Sequence, residues 1–197
     1  MLRLFFTCSV LLIGTSALVA QGSADTPVTN PYYPLKEGSV WKYQVAGGPV
    51  EVKVAGKETV KGVSCLKLVT SMGGKDAATE LVAVTAEGVM RYSVNGVTPD
   101  QPILFLKAGA KKGDTWQVKS TAQKQEIEGT FTVDEEKVKI GDKEYETLHV
   151  TGKDMKIGSS KTTVDYWFAK DVGIVKLRFT LGTQEAVLEL IEYKAGK

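Results

Sequence analysis

The feature that most constrains this chain is a hydrophobic period of two, repeated along most of its length. In "VEVKV", Val50, Val52 and Val54 share one face while Glu51 and Lys53 take the other, the pattern of a half-buried strand. "TTVDYWF" likewise puts Val164, Tyr166 and Phe168 on one face. "KLVTS", "ELVAV", "VMRYSV", "IVKLRF" and "VLELIEY" are similar short runs. Between them stand turn-formers such as "VKGVS", "MGGK", "VNGV", "IGDK", "KIGSS" and "TLGT". The two best windows for an amphipathic helix are "KDAATELVAV" and "TQEAVLELIEY". The second still alternates Val187, Glu189 and Ile191, which favours a strand. Short strands at this spacing predict an all-β, antiparallel fold.

Within that pattern one phrase is written twice. "LKEGSVWKYQV" begins at Leu35, and "AKKGDTWQVKS" carries the same Lys-x-Gly-x-x-Trp further on. Gly38 and Trp41 match Gly113 and Trp116 at an offset of 75 residues. Gly62 then matches Gly141, and Gly88 matches Gly173, with the order preserved and the offset growing. The chain reads as two related β units, 35–98 and 107–182, plus a C-terminal strand, all in one domain spanning 35–197. A unit of that size buries little alone, so the two are expected to share one core as a curved sheet, half-barrel or sandwich. The apolar run Ile103–Leu106 between them should pack on that core.

The N-terminus has the layout of a secretory signal: Arg3, an apolar run from Leu4 to Ile13, then small residues. Residues 1–20 are read as that signal, with cleavage after Ala20 or alternatively Ala24, and 21–34 as a flexible leader. The expected location is therefore periplasmic or extracellular, with no transmembrane anchor after cleavage. Cys8 sits at the start of the apolar run behind Phe5 and Phe6, which argues against a lipidation site. Cys65 is then the only cysteine, and "CLKLV" makes it a small buried hydrophobe.

Charge excludes one function class. The 25 Lys and Arg residues are interspersed among 23 Asp and Glu, with no basic stripe, so nucleic acid is not an expected partner. The chemistry of the chain is sparse. Its one histidine, His149, lies between Leu148 and Val150 and aligns with Lys67 of the first unit, so it should face water. One His and one Cys cannot build a His- or thiolate-rich metal site, and no Asp-rich calcium loop is present. No nucleophile elbow, phosphate loop or dinucleotide fingerprint occurs. Glu135 and Glu136 are neighbours on a strand and should point to opposite faces. No cofactor, metal or catalytic residue is assigned.

"PYYPLKEGSVWKY" and "DYWFAKDVGIVKLRF" resemble phrases of a loose set of uncharacterised bacterial exported proteins and lipoproteins. These share Tyr-x-Pro-Leu-x-x-Gly-x-x-Trp-x-Tyr near the start and Trp-Phe/Tyr-Ala-x-x-Val-Gly-x-Val-Lys near the end. The resemblance implies an envelope-directed β protein, similar in fold to the half-barrels of lipoprotein carriers, and implies no activity. The expected function is non-enzymatic binding of an apolar or polymeric ligand, such as a lipid, on a concave face. Trp41, Tyr43, Trp116, Tyr166 and Phe168 are the candidate ligand-binding residues. The alternatives are a module that pairs with an envelope protein through a strand edge, and, ranked last, a carboxylate-based hydrolase.

Overall fold

The computed structural model describes residues 28–197. The predicted signal segment and leader residues 21–27 lie outside the described residues. The chain forms twelve antiparallel strands. The first six are β1 (Val40–Val45), β2 (Gly48–Val60), β3 (Val63–Met72), β4 (Lys75–Val84), β5 (Gly88–Val94) and β6 (Ile103–Lys107). The second six are β7 (Thr115–Ala122), β8 (Gln125–Ile140), β9 (Lys143–Ile157), β10 (Ser160–Ala169), β11 (Gly173–Leu181) and β12 (Gln184–Lys194). The described residues contain no helix.

Each set of six is a simple meander, as hairpin-length turns require. The meanders join where β1 pairs with β12, giving the order β6-β5-β4-β3-β2-β1-β12-β11-β10-β9-β8-β7. The sheet curls until its two edges meet in a nearly closed barrel. At the seam the Asp100 amide donates to the Thr121 carbonyl (2.8 Å). Trp116 Nε1 donates to the Leu104 carbonyl (2.9 Å), and Ser120 Oγ donates to the Gln101 carbonyl (2.8 Å).

The repeat units drawn from the sequence are shorter than the meanders. They stop at 98 and 182, whereas β6 and β12 complete the two meanders beyond them. The matching phrases run out at the fifth strands, because "ILFLK" and "VLELIEY" share no pattern. The end of the leader, residues 28–34, lies against the barrel. Part of it is anchored: Asn30 and Tyr33 are buried, and the Asp171 amide donates to the Pro31 carbonyl (2.7 Å), while Val28 stays exposed. Polar composition suggested flexibility, but Tyr33 lies among the core aromatics Trp41, Phe105 and Phe168.

The registers of the two meanders run level. The amides of Gly38 and Gly113 donate to the carbonyls of Val54 and Val133, each at 2.9 Å. Both glycines have positive φ, +82° and +89°, which a residue with a side chain adopts at a cost. Trp41 then stands opposite Val52, and Trp116 opposite Phe131. In the third strands, Lys67 faces Leu81 of β4, and His149 faces Trp167 of β10. A bulge follows at the same level in each half, between Leu81 and Val82 and between Trp167 and Phe168. Counted through these bulges, Glu80 is level with Tyr166 and Arg91 with Ile174. Gly88 and Gly173, matched in the sequence, are therefore out of register by two residues, because the β4–β5 hairpin extends one pair further.

The core lies inside the barrel. Val54, Leu68, Val82, Val89, Leu106, Phe131, Leu148, Val150, Phe168 and Val175 fill it together with Trp41 and Phe105. Ile103, Phe105 and Leu106, the apolar run between the units, are buried there. A smaller cluster of Cys65, Ala83, Met90 and Tyr92 packs separately. Among the described residues no helix is long and apolar enough to cross a membrane, a statement that says nothing of strands.

Candidate functional site

The barrel is filled at one end and hollow toward the other. At the filled end, Tyr33 packs on Trp41, Phe105 and Phe168, and Trp41 Nε1 donates to the Val172 carbonyl (2.7 Å). Segment 28–39 and the β10–β11 turn thus cap that end. Toward the other end lies a cavity of about 440 Å³. Its walls are mainly aliphatic, with Leu68, Ile127, Val164, Leu177 and Leu188 among them. Val94, Ile157 and Phe179 line it next to the turns and are exposed, so the mouth has an apolar rim.

Two charged side chains enter this space. Arg91, the central residue of β5, and Glu80 of β4 both line the cavity. Arg91 Nε donates to Glu80 Oε2 at 2.7 Å. Their side chains keep 23% and 30% of their surface accessible. The guanidinium also lies over the Phe105 ring, 4.8 Å from its centroid, with Tyr166 beside it. Burial acts to lower the Arg91 pKa, but Glu80 and Tyr166 more than offset it and hold the group above its ordinary value. Burial, with the Glu80 charge second, pushes the Tyr33 hydroxyl up, and burial does the same to Tyr43. Both phenols are therefore neutral at physiological pH. Tyr43 donates to the Ile174 carbonyl at 2.9 Å.

Of the five residues singled out from the sequence, Trp41, Tyr43 and Tyr166 line the cavity. Phe168 is fully buried in the core. Trp116 is half-buried at the seam, stacked on Phe131 at 5.4 Å. Glu80 and Arg91 were missed. The available signal was "VMRYSV", where alternation sets Arg91 on the same face as Val89 and Ser93.

A second polar constellation lies on the outer face. Val164 and Tyr166 point into the cavity, so Asp165 and Trp167 between and beyond them point out. Asp165 is 1% exposed. Its Oδ1 lies 3.0 Å from His149 Nε2 and accepts the Thr151 hydroxyl at 2.8 Å. Its Oδ2 accepts Arg178 Nε at 2.9 Å. His149 Nδ1 lies 3.2 Å from Glu136 Oε2, which also accepts Trp167 Nε1 at 2.9 Å. The imidazole stacks flat on Trp167, with centroids 4.3 Å apart. His149 was expected to face water alone. It does lie on the outer face, but only 20% of its side chain is accessible. The correction has a simple cause, since β10 supplies Trp167 and Asp165 where β4 supplies Leu81 and Thr79. Glu136, with 48% of its side chain accessible, is the second carboxylate of this network.

The network brings together a hydroxyl, an imidazole and two carboxylates: the Thr151 hydroxyl and His149 Nε2 both lie within hydrogen-bond reach of Asp165 Oδ1 (2.8 and 3.0 Å) and 3.2 Å from each other. Among the described residues, no group of three or more His, Cys, Asp or Glu could hold a metal ion. Every buried side-chain nitrogen or oxygen among them has a partner.

No family model matches the chain, and no curated protein matches it. Among solved structures it is similar to a predicted lipoprotein from Parabacteroides distasonis ATCC 8503, at 14% identity and a TM-score of 0.41, over 84% of this chain and 99% of that one. It is also similar to a predicted exported protein with a YmcC-like fold from Bacteroides fragilis NCTC 9343, at 12% identity and a TM-score of 0.43, over 83% of this chain and 98% of that one.

Proposed function

We propose that the protein is a non-enzymatic binding protein that holds an apolar ligand inside its barrel. The observation that carries this reading is the 440 Å³ cavity with aliphatic walls and an apolar rim. Its volume falls within the ~300–1,000 Å³ range of small-molecule sites. An apolar chain entering it gains about 0.8 kcal/mol per buried methylene. Trp41, Tyr43 and Tyr166 contribute wall contacts; Trp116 and Phe168 have structural roles. The sheet edges on β6 and β7 face one another across the seam, bridged by the hydrogen bond from Trp116 Nε1 to the Leu104 carbonyl, which favours the cavity reading over the strand-edge one.

N-phenyl-1-naphthylamine, a neutral dye that brightens in apolar surroundings, tests the reading. The protein should enhance its fluorescence saturably. Ala122→Trp, which places a bulky side chain at the cavity wall, should abolish the effect without loss of β circular dichroism. A dye that ignores the wild-type protein overturns the proposal. The two meanders are further inferred to be related copies that unfold together, supported by their level registers and matching bulges. One calorimetric transition is expected; two separable ones refute it.

A further inference from the structure

Arg91 is unusual among the groups lining the cavity because its charge is already neutralised. Nε is committed to Glu80, and the flat guanidinium rests on Phe105. A guanidinium has five N–H donors, and the terminal nitrogens carry four of them. A ligand group that reaches Arg91 meets hydrogen-bond donors, but it also meets the Glu80 carboxylate beside them. An anionic head would bring a second negative charge next to Glu80 in a space of low dielectric, where like charges repel far more than in water. A neutral carbonyl takes the same donors with no charge penalty.

Resting on the cavity as a ligand site, we propose that its ligand class is the uncharged acyl ester: the carbonyl sits on the terminal nitrogens of Arg91, the acyl chain runs toward the rim of Val94, Ile157 and Phe179, and Glu80 rejects the free acid. Glu80 then has two roles. It supplies the counter-charge that a sequestered guanidinium needs when the cavity is empty, and it sets selectivity by repulsion, without any new attractive contact.

Three probes of equal chain length separate the parts of this inference: methyl dodecanoate, dodecanoate and dodecane, each competing with the naphthylamine dye at pH 7.5. The ester should compete about tenfold better than either the acid or the alkane, the acid losing to like-charge repulsion and the alkane lacking an acceptor. Glu80→Gln should bring the acid level with the ester or above it. Arg91→Met should erase the ester's advantage over the alkane. Wild-type protein that prefers the acid, or that treats ester and alkane alike, overturns the inference and leaves the cavity reading standing. A dye that never enters overturns both. Because wild-type selectivity alone decides the matter, a variant that fails to fold does not remove the test.

Discussion

The two halves of the barrel share a frame and use it differently. Each joins its fourth and fifth strands by a carboxylate–arginine pair, Glu80–Arg91 in one and Asp165–Arg178 in the other. The first pair faces the lumen and the second faces outward. Register explains the difference. Tyr166 is the residue level with Glu80, and Asp165 precedes it by one. A shift of one residue on a strand moves a side chain to the opposite face. The lesson is that a common scaffold fixes the height of a side chain, while its parity along the strand decides whether it serves the cavity or the outer wall. Inside, the charged pair faces a space open to a ligand; outside, the pair is closed by His149, Thr151 and Trp167.

The tryptophan pair gives the largest effect. Trp41 is 1% exposed and stacks on Tyr193, so Trp41→Ala should cost about 3–5 kcal/mol. Trp116 is half-buried, and Trp116→Ala should cost about 2 kcal/mol. Equal losses in urea denaturation would show that the two positions are energetically alike despite their different burial. Next comes Asp165→Ala, which strips the acceptor from His149, Thr151 and Arg178 and should cost about 3 kcal/mol. Thr79→Ala at the level position in β4 should cost under about 0.5 kcal/mol, since Thr79 is outside the hydrophobic core. The His149–Glu136 contact has a counterpart in the Lys67–Glu58 pair, which is exposed. His149→Ala should cost about 1–2 kcal/mol and Lys67→Ala under about 0.5 kcal/mol. A His149 variant as harmless as the Lys67 one would mean that the outer network is decorative.

The smallest effect concerns Cys65 and Thr147, which occupy level positions opposite Glu58 and Glu136. Burial pushes the Cys65 thiol up from its ordinary value, so less thiolate is present at any given pH. The native protein should resist iodoacetamide at pH 8 and label fully in denaturant. Prompt native labelling would show that the Cys65–Met90–Tyr92 cluster opens readily.

Much of this frame was legible from residues alone. Alternation in "VEVKV" and "TTVDYWF" specified strands, and the Gly38 and Gly113 phrases specified equivalent starts. The aligned Lys67 and His149 do share a level and a face. What could not be read was the company each keeps. His149 became part of a network because β10, rather than β4, lies beside its strand, and pairing between strands leaves no local trace. Arg91 escaped notice for a different reason. A bulge interrupts the period of two between β4 and β5, so face assignments made on one strand do not carry across to the next.

The meeting of β1 with β12 also has a kinetic consequence. Eleven strand-to-strand borders separate twelve strands in this order, and ten of them join sequence neighbours. The β1–β12 border alone requires the chain to close a loop of nearly its whole length, and such closure is entropically slow. A circular permutant opened in the 108–114 turn, with Lys197 linked to Val28, would make every border local. It should fold faster than the natural order at nearly unchanged unfolding rate, with the former seam between β6 and β7 now holding its two ends.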